Sequence, residues 1–158
     1  MSLKAFQDYY PDHLNQCYGC GQLNPHGLRI RSFWEGEETI CRFEPKPYHT
    51  AFPGFVYGGL IASLFDCHSI GSAAAALYRA EGRTMDTEPP YRFVTGSLNV
   101  HYHKPTPLGG PLLIRSKITE IKGRKVWVAS TLYAEELACA RSEVLAVQMP
   151  EGFLRAEN

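Results

Sequence analysis

The chain shows strand-like periodicity toward both ends and one long run of small and apolar residues in the middle. Residues 28–34 and 39–43 alternate apolar and polar side chains on either side of Glu35-Gly36-Glu37, which predicts a β-hairpin. A loop rich in proline and glycine (45–58) leads into the run 58–79, whose alanine-rich composition predicts a helix. Four more strands are predicted at 93–103, 112–121, 125–133 and 138–148.

The central run is long enough to cross a bilayer, because the 21 residues from Gly58 to Tyr78 carry one formal charge, Asp66. Small residues dominate it, however, and Asp66 and His68 occupy its centre. An acidic residue there costs about 2.5–3.5 kcal/mol on insertion scales. We therefore interpret the run as a helix buried inside a soluble fold and expect no membrane association.

The order of the elements indicates the fold class. Strands joined by tight turns pair antiparallel, and a helix that is apolar all round must be covered by a sheet. This predicts an α+β fold in which a curved antiparallel sheet wraps around a long central helix. We expect an N-terminal segment (1–27) packed on the domain, a single domain (28–150) and a C-terminal tail (151–158). Within residues 3–14 the pattern favours a short helix broken near Pro11.

The composition of the chain reduces the number of possible functions. The 158 residues match one domain, and the balance of 16 basic and 16 acidic residues argues against a nucleic-acid partner. The cysteine count is odd, at five, and residues 1–16 lack the apolar stretch of a signal peptide. We therefore expect reduced thiols and a cytoplasmic location.

Several cysteines and histidines are candidate metal ligands. Cys17 and Cys20 have the spacing of half a zinc site, but no second pair with that spacing follows. His13 or His26 could complete a metal site only if folding brought one of them next to Cys17 and Cys20. We therefore interpret the cysteine pair as a turn and expect no metal and no other cofactor. The remaining candidates have simpler interpretations: His101 and His103 as solvated or core histidines on one strand face, and Cys67 as a small core residue.

The segment that leads into the predicted helix carries the chemistry. Gly58 and Gly59 at the helix start allow a ligand to approach the backbone closely. The free amides there, with the positive end of the helix dipole, suit a carbonyl oxygen that gains negative charge. Asp66 is the one carboxylate in an apolar helix, and a carboxylate beside a reacting carbonyl acts as a base or a nucleophile.

The spacing of these groups constrains their use. Gly59 and Asp66 share a helix face but lie roughly 10 Å apart along the axis, at about 1.5 Å per residue. One reacting carbonyl group therefore reaches both only if they come from two helices. A symmetric dimer with two composite sites supplies that arrangement.

These residues resemble a known family. Pro53-Gly54-Phe55-Val56-Tyr57-Gly58-Gly59, then Asp66, then Ser97-Leu98-Asn99-Val100-His101-Tyr102-His103-Lys104-Pro105, resembles the hotdog-fold acyl-CoA thioesterases of the PaaI-like group. The opening Cys17-Tyr18-Gly19-Cys20-Gly21 and Asn24-Pro25-His26-Gly27-Leu28 is similar to a subgroup of that family. The resemblance covers about residues 17–149.

The resemblance implies roles. Gly58 and Gly59 polarise the thioester carbonyl, while Asp66 from the other subunit activates water or attacks directly. A hydroxyl on the following strand assists, and Thr95 occupies that position. The phosphates of coenzyme A lie near basic side chains, for which the candidates are Lys104, Arg124 and Lys125. The resemblance also implies a homodimer or a dimer of dimers.

Two positions depart from the family pattern. Tyr57 stands where the family usually has histidine, and Ala51 stands where it often has an asparagine or glutamine. The phenol of Tyr57 can still donate a hydrogen bond that orients the thioester. His49 is the nearby side chain that could substitute for the missing amide.

The leading hypothesis is therefore a thioesterase that hydrolyses an acyl-CoA or a related thioester to acid and thiol. One alternative is acyl-CoA binding without turnover, given the departures at Tyr57 and Ala51. Another is a hotdog dehydratase or hydratase, whose chemistry needs a histidine paired with a carboxylate, and His49 is the loop candidate for it.

Overall fold

The computed structural model describes residues 3–153, which form one long helix and a six-stranded sheet. Two short 3-10 helices, Phe6–Tyr9 and Asp12–Leu14, precede them. The main elements are β1 (Ser32–Glu35), β2 (Glu38–Phe43), α1 (Gly58–Ala80), β3 (Phe93–Tyr102), β4 (Leu112–Lys122), β5 (Lys125–Ala134) and β6 (Leu137–Gln148). The predicted tail is described only as far as residue 153, so 154–158 lie outside the described residues.

All neighbouring strands pair antiparallel in the order β1-β2-β4-β5-β6-β3. The predicted α+β fold, an antiparallel sheet around one central helix, is confirmed. The chain passes from α1 to β3, which lies at one edge of the sheet and pairs with β6. The other flank of β3 therefore has no strand partner within the described part of the chain.

The helix is buried against the sheet on more than one face. Its first half contributes Leu64 and Phe65 to a large apolar cluster, and its second half contributes Ala73 and Ala74 to a smaller one. The alanines allow the helix to approach the strands closely while keeping high helix propensity. The helix packs against all six strands, so its apolar surface is covered without a membrane.

By length and composition, α1 also passes the test for a membrane span. It is the one helix in residues 3–153 that does so. In its most apolar window 67% of the residues are buried inside the protein, as in the core helix of a soluble fold.

The N-terminal segment is anchored by a buried side chain. Gln7 is fully buried, donates from Nε2 to Ser32 Oγ (3.2 Å) and accepts a hydrogen bond from the Ser32 amide (2.8 Å). A glycine inside α1 makes room for it, because a Cβ at Gly71 would lie 2.9 Å from Gln7 Nε2. The segment from Phe6 to Tyr9 therefore packs directly on the helix and on β1.

The first strand differs from the prediction. The pattern predicted a strand over 28–34, but β1 begins at Ser32. Arg29 has a positive φ of 54°, which interrupts an extended strand. The amides of Leu28 and Ile30 donate instead to the carbonyls of Tyr18 and Gly19, so this stretch holds the loop before it rather than joining the sheet.

Candidate active site

Asp66 lies at a cavity between the helix and the edge strand. It is half-buried and lines a cavity of about 430 Å³, which we call the acid cleft, together with Phe93 and Thr95 of β3. The Thr95 hydroxyl donates a hydrogen bond to Asp66 Oδ1. The carboxylate is thus held by a neighbouring side chain while it faces a space large enough for a small ligand.

An irregularity in β3 accompanies this contact. The pairing of β3 with β6 shifts between Thr95 and Ser97, as in a β-bulge. Bulges re-aim side chains and occur often beside active sites. A glycine fits here because a Cβ at Gly96 would lie 2.8 Å from Val147 Cγ2. The bulge and the glycine together redirect the first residues of β3, and Thr95 contacts the helix there.

The start of the helix forms a second cavity, which we call the helix-start cavity. It measures about 350 Å³ and is lined by Gly58, Tyr102 and Ile61, among others. The hydroxyl of Tyr102 donates to the Gly58 carbonyl (2.7 Å), so β3 fixes the first turn of α1. The first amides of a helix have no partner within it, so Gly58 and Gly59 offer donors to a bound carbonyl oxygen.

Tyr57 lies across this first turn. A Cβ built on Gly59 would lie 2.4 Å from Tyr57 Cε1, so the exposed ring rests directly on that glycine. Ala51, the other departure, also lines the helix-start cavity. The position at which the family usually has histidine is therefore occupied by a phenol ring that packs on Gly59.

The two cavities are separate within one protomer. They share no lining residue, and Gly59 and Asp66 lie seven residues apart, which is roughly 10 Å of helix. The separation that the spacing predicted is therefore present in the fold.

The candidate basic residues do not form one patch in a single protomer. Lys104 lines the helix-start cavity, beyond the C-terminal end of β3. Lys125 pairs with Val147, so it lies at the opposite end of the sheet, level with the start of β3. Arg124 is next to it and donates to the Gln148 carbonyl from Nε (3.1 Å) and Nη2 (2.7 Å).

His49 is not part of either cavity. Its Nδ1 accepts a hydrogen bond from the Lys46 amide (2.9 Å), and its ring packs against Tyr48 and Phe43. Burial, and then the charge of Lys46, lower the pKa of His49. Its carbonyl accepts from the Tyr57 amide (2.9 Å), so it shapes the loop behind Tyr57. The histidine and carboxylate pair required by a dehydratase is not assembled in the described chain.

His68 follows Asp66 by two residues, about 200° around the helix, and does not line the acid cleft. It is fully buried, and its ring nitrogens are hydrogen-bonded to Ser32 Oγ (2.8 Å) and Thr39 Oγ1 (3.3 Å). Ser72 extends the network, 2.7 Å from Thr39 Oγ1. Burial lowers the pKa of His68 to about 3, so the imidazole is neutral. The histidine therefore joins α1 to β1 and β2 as a structural group.

The interpretation of Cys67 as a core residue is wrong in part. It packs on the main apolar cluster but is only half-buried, and it lines the acid cleft beside Asp66. The sulfur atoms of Cys17, Cys20 and Cys67 all lie within 4.8 Å of one another. Sequence reasoning missed this group, which we call the thiol cluster, because the third thiol is a single cysteine on the helix and not part of a second cysteine pair. His101 and His103 are exposed, with ring centroids 6.3 Å apart.

Comparisons with known proteins found a matching family model and several curated relatives. A family model described as the thioesterase superfamily matches residues 53–140. Acyl-coenzyme A thioesterase THEM4 of Xenopus laevis is 32% identical over 108 residues, which cover 68% of this chain and 43% of that protein. The chain spans less than half the length of the curated relatives that it matches.

Solved structures share the fold. The crystal structure of a thioesterase superfamily protein from Shewanella loihica PV-4 is 49% identical, with a TM-score of 0.66, covering 80% of this chain and 96% of that chain. The PaaI protein of the E. coli phenylacetic acid degradation operon is 10% identical, with a TM-score of 0.63 and coverages of 78% and 81%, and supports the fold alone.

Proposed function

This chain belongs to the thioesterase superfamily, and on that premise we propose that it hydrolyses an acyl-CoA or a related thioester to a carboxylic acid and a thiol. The observation that carries the proposal is the hydrogen-bonded pair of Asp66 and Thr95 in the acid cleft. A carboxylate in that position activates water or attacks the thioester carbonyl itself. The Thr95 hydroxyl fixes the direction in which the carboxylate points.

The helix start supplies the second half of the chemistry. Amides at Gly58 and Gly59 stabilise the negative charge that develops on the thioester oxygen. Tyr57, whose ring lies over Gly59, orients the acyl group or the thiol. No step in this scheme requires a metal or a redox cofactor.

A dimer formed through β3 would combine the two cavities. One flank of the strand has no strand partner among residues 3–153, and the strand exposes Val94, Leu98 and Tyr102 at 43%, 38% and 53%. An exposed edge strand with apolar side chains is a natural site for strand pairing between chains. We therefore propose a homodimer, or a dimer of dimers built from it.

The register of β3 determines which groups such a dimer would bring together. Thr95 lies near the start of the strand and Tyr102 at its end. Antiparallel pairing of β3 with its copy about a twofold axis places the start of one strand beside the end of the other. The Asp66 of one protomer then faces the helix start of its partner.

The same symmetry would also gather the basic residues. Lys104 lies at the end of the sheet next to the helix start, and Arg124 and Lys125 lie at the other end. In the proposed dimer, Lys104 of one protomer approaches Arg124 and Lys125 of the other. These cations would bind the phosphates of coenzyme A.

Complementation between inactive variants tests the composite site. Asp66→Asn removes the carboxylate, and Gly59→Val obstructs the helix start. Each variant alone should release little thiol from a panel of acyl-CoAs in a chromogenic thiol assay. Co-expression with two different affinity tags yields heterodimers, and these should recover activity because one of their two sites is intact.

The outcome separates the alternatives. Heterodimers that remain inactive, while both homodimers fold, would contradict a composite site. Saturable acyl-CoA binding with no thiol release by the unmodified protein would favour binding without turnover. Loss of the enoyl absorbance of crotonyl-CoA would favour a hydratase.

We also propose membership in the PaaI-like group and a cytoplasmic location. The spacing of Gly58-Gly59 and Asp66 and the segment from Asn99 to Pro105 support the group. The five free cysteines, of which Cys17 is exposed, support a reducing compartment.

A further inference from the structure

Three thiols from two distant segments meet beside the acid cleft. Cys17 and Cys20 lie in the loop before β1, and Cys67 lies on α1 directly after Asp66. The Sγ atoms of Cys17 and Cys67 are 3.9 Å apart, and all three sulfurs lie within 4.8 Å of one another. In a tetrahedral zinc site with Zn–S bonds of about 2.3 Å, neighbouring sulfurs are about 3.8 Å apart.

Backbone hydrogen bonds fix the loop that carries Cys17 and Cys20. The carbonyls of Tyr18 and Gly19 accept from the amides of Leu28 and Ile30 at 2.8 and 3.0 Å, and the Cys17 carbonyl accepts from the Gly21 amide at 2.8 Å. The two cysteines are therefore held in place before any ligand arrives.

Two glycines allow this loop to close on the helix. A Cβ at Gly19 would lie 2.3 Å from Cys67 Sγ, so only glycine lets the loop approach that sulfur. A Cβ at Gly21 would lie 2.4 Å from the backbone nitrogen of Cys17, so the turn after Cys20 also requires glycine. These contacts tie the pair of cysteines in the loop to the third cysteine on the helix.

Thiolates, and not thiols, bind a metal, so a divalent cation at this position would displace the protons of the three sulfurs. Soft thiolate ligands favour zinc among the common divalent cations.

We propose that Cys17, Cys20 and Cys67 bind a thiophilic divalent cation, of which zinc is the best match, in a three-thiolate site. All three cysteines line the acid cleft. In this proposal the fourth tetrahedral position faces that cleft and takes water or a thiol. Such a site would join the N-terminal loop to the helix that carries Asp66. It does not depend on thioester hydrolysis.

Metal content and cobalt spectra of the full chain test this. The protein is purified under a phosphine reductant without chelator, and its zinc is counted by elemental analysis. We expect one zinc per chain. After zinc is exchanged for Co²⁺, we expect thiolate-to-metal charge-transfer absorption in the near ultraviolet and intense visible bands typical of tetrahedral coordination.

Matched alanine variants identify the ligands. Cys17→Ala changes an exposed residue and should abolish stoichiometric zinc and the charge-transfer band while the far-ultraviolet circular dichroism stays unchanged. Cys139→Ala, at a buried cysteine outside the thiol cluster, should retain both. The cobalt titration of the unmodified protein needs no substitution, so a variant that fails to fold does not leave the question open.

Three results would overturn the proposal. The first is a reduced protein that binds neither zinc nor cobalt at micromolar concentrations. The second is metal that remains stoichiometric in Cys17→Ala. The third is a disulfide between two of the three cysteines in metal-free protein, found by non-reducing peptide mapping, which would identify the thiol cluster as a redox pair.

Discussion

Two faces of the helix α1 differ in how their polar side chains are buried and hydrogen-bonded. On one face His68 is fully buried, and both ring nitrogens have hydroxyl partners. On the other face Asp66 is half-buried, has the hydroxyl of Thr95 as its partner and lines the acid cleft. The two residues are only two positions apart, yet His68 belongs to the hydrogen-bonded interior and Asp66 faces a cavity that a ligand can enter.

The difference shows how to separate structural from chemical polar residues. A buried polar group with every partner supplied by the protein stabilises the fold, and its loss leaves those partners unsatisfied. A polar group with unused capacity toward a cavity is available for chemistry. Substitutions on the two faces should therefore affect different measurements.

The largest effect is expected at Asp66. Asp66→Asn keeps the size of the side chain but removes the base, so kcat/KM for the best acyl-CoA should fall by about 10²–10⁴-fold. The melting temperature should change little, since Asp66 is not fully buried. Asp12→Asn, the same change at an exposed site, is the control. Equal rates for the Asp66 variant and the unmodified protein would remove this residue from the mechanism.

His68→Ala should produce the reverse pattern. Removal of a buried ring and of the hydrogen bonds to Ser32 and Thr39 should lower the free energy of unfolding by about 3 kcal/mol. Activity per folded molecule should stay within a few-fold of the unmodified enzyme. Denaturant unfolding and thioester assays on the same preparation check both parts. A large loss of activity at unchanged stability would place His68 in the site instead.

A smaller effect is expected at Thr95. Thr95→Val keeps the shape but removes the hydroxyl that donates to Asp66, and a hydrogen bond to a charged group is worth about 1.5 kcal/mol or more. We expect kcat to fall roughly tenfold, and Thr95→Ser to recover most of it. A serine variant as slow as the valine variant would indicate that the methyl group matters, and not the hydroxyl.

The smallest effect is expected at the helix start, where two adjacent glycines differ. Gly59→Ala would place a Cβ 2.4 Å from the Tyr57 ring and displace it, so KM should rise about threefold, at a cost near 0.6 kcal/mol. Gly58→Ala meets Tyr102 at an ordinary 3.5 Å and should leave KM unchanged. Steady-state kinetics of both variants, side by side, test this difference, and equal KM values would argue against a role for the Tyr57 ring.

Most of the fold could be predicted from local pattern. Alternating side chains located five strands to within about two residues, and the alanine-rich run located α1 from Gly58, because periodicity and propensity are local properties. The first strand was misplaced because Leu28 and Ile30 alternate in the sequence but donate their amides to the preceding loop. A positive φ at Arg29 leaves no signal in the pattern.

The candidate site was predictable only in part. The spacing of Gly59 and Asp66 follows from helix geometry, so their separation was predicted correctly. The contact between Thr95 and Asp66 depends on β3 lying at the sheet edge beside the helix, and no local pattern contains that strand order. The thiol cluster was not predicted for the same reason, since Cys20 and Cys67 are 47 positions apart in the sequence.

The notch that Gly71 opens in the central helix has a consequence for how the protein can be trimmed. Gln7 enters that notch and satisfies a backbone amide that no solvent reaches. A version that starts after this glutamine would carry a hole beside the helix and an amide of Ser32 without an acceptor. The 3-10 turn from Phe6 to Tyr9 thus fills part of the interior, and any shortened form would have to replace it.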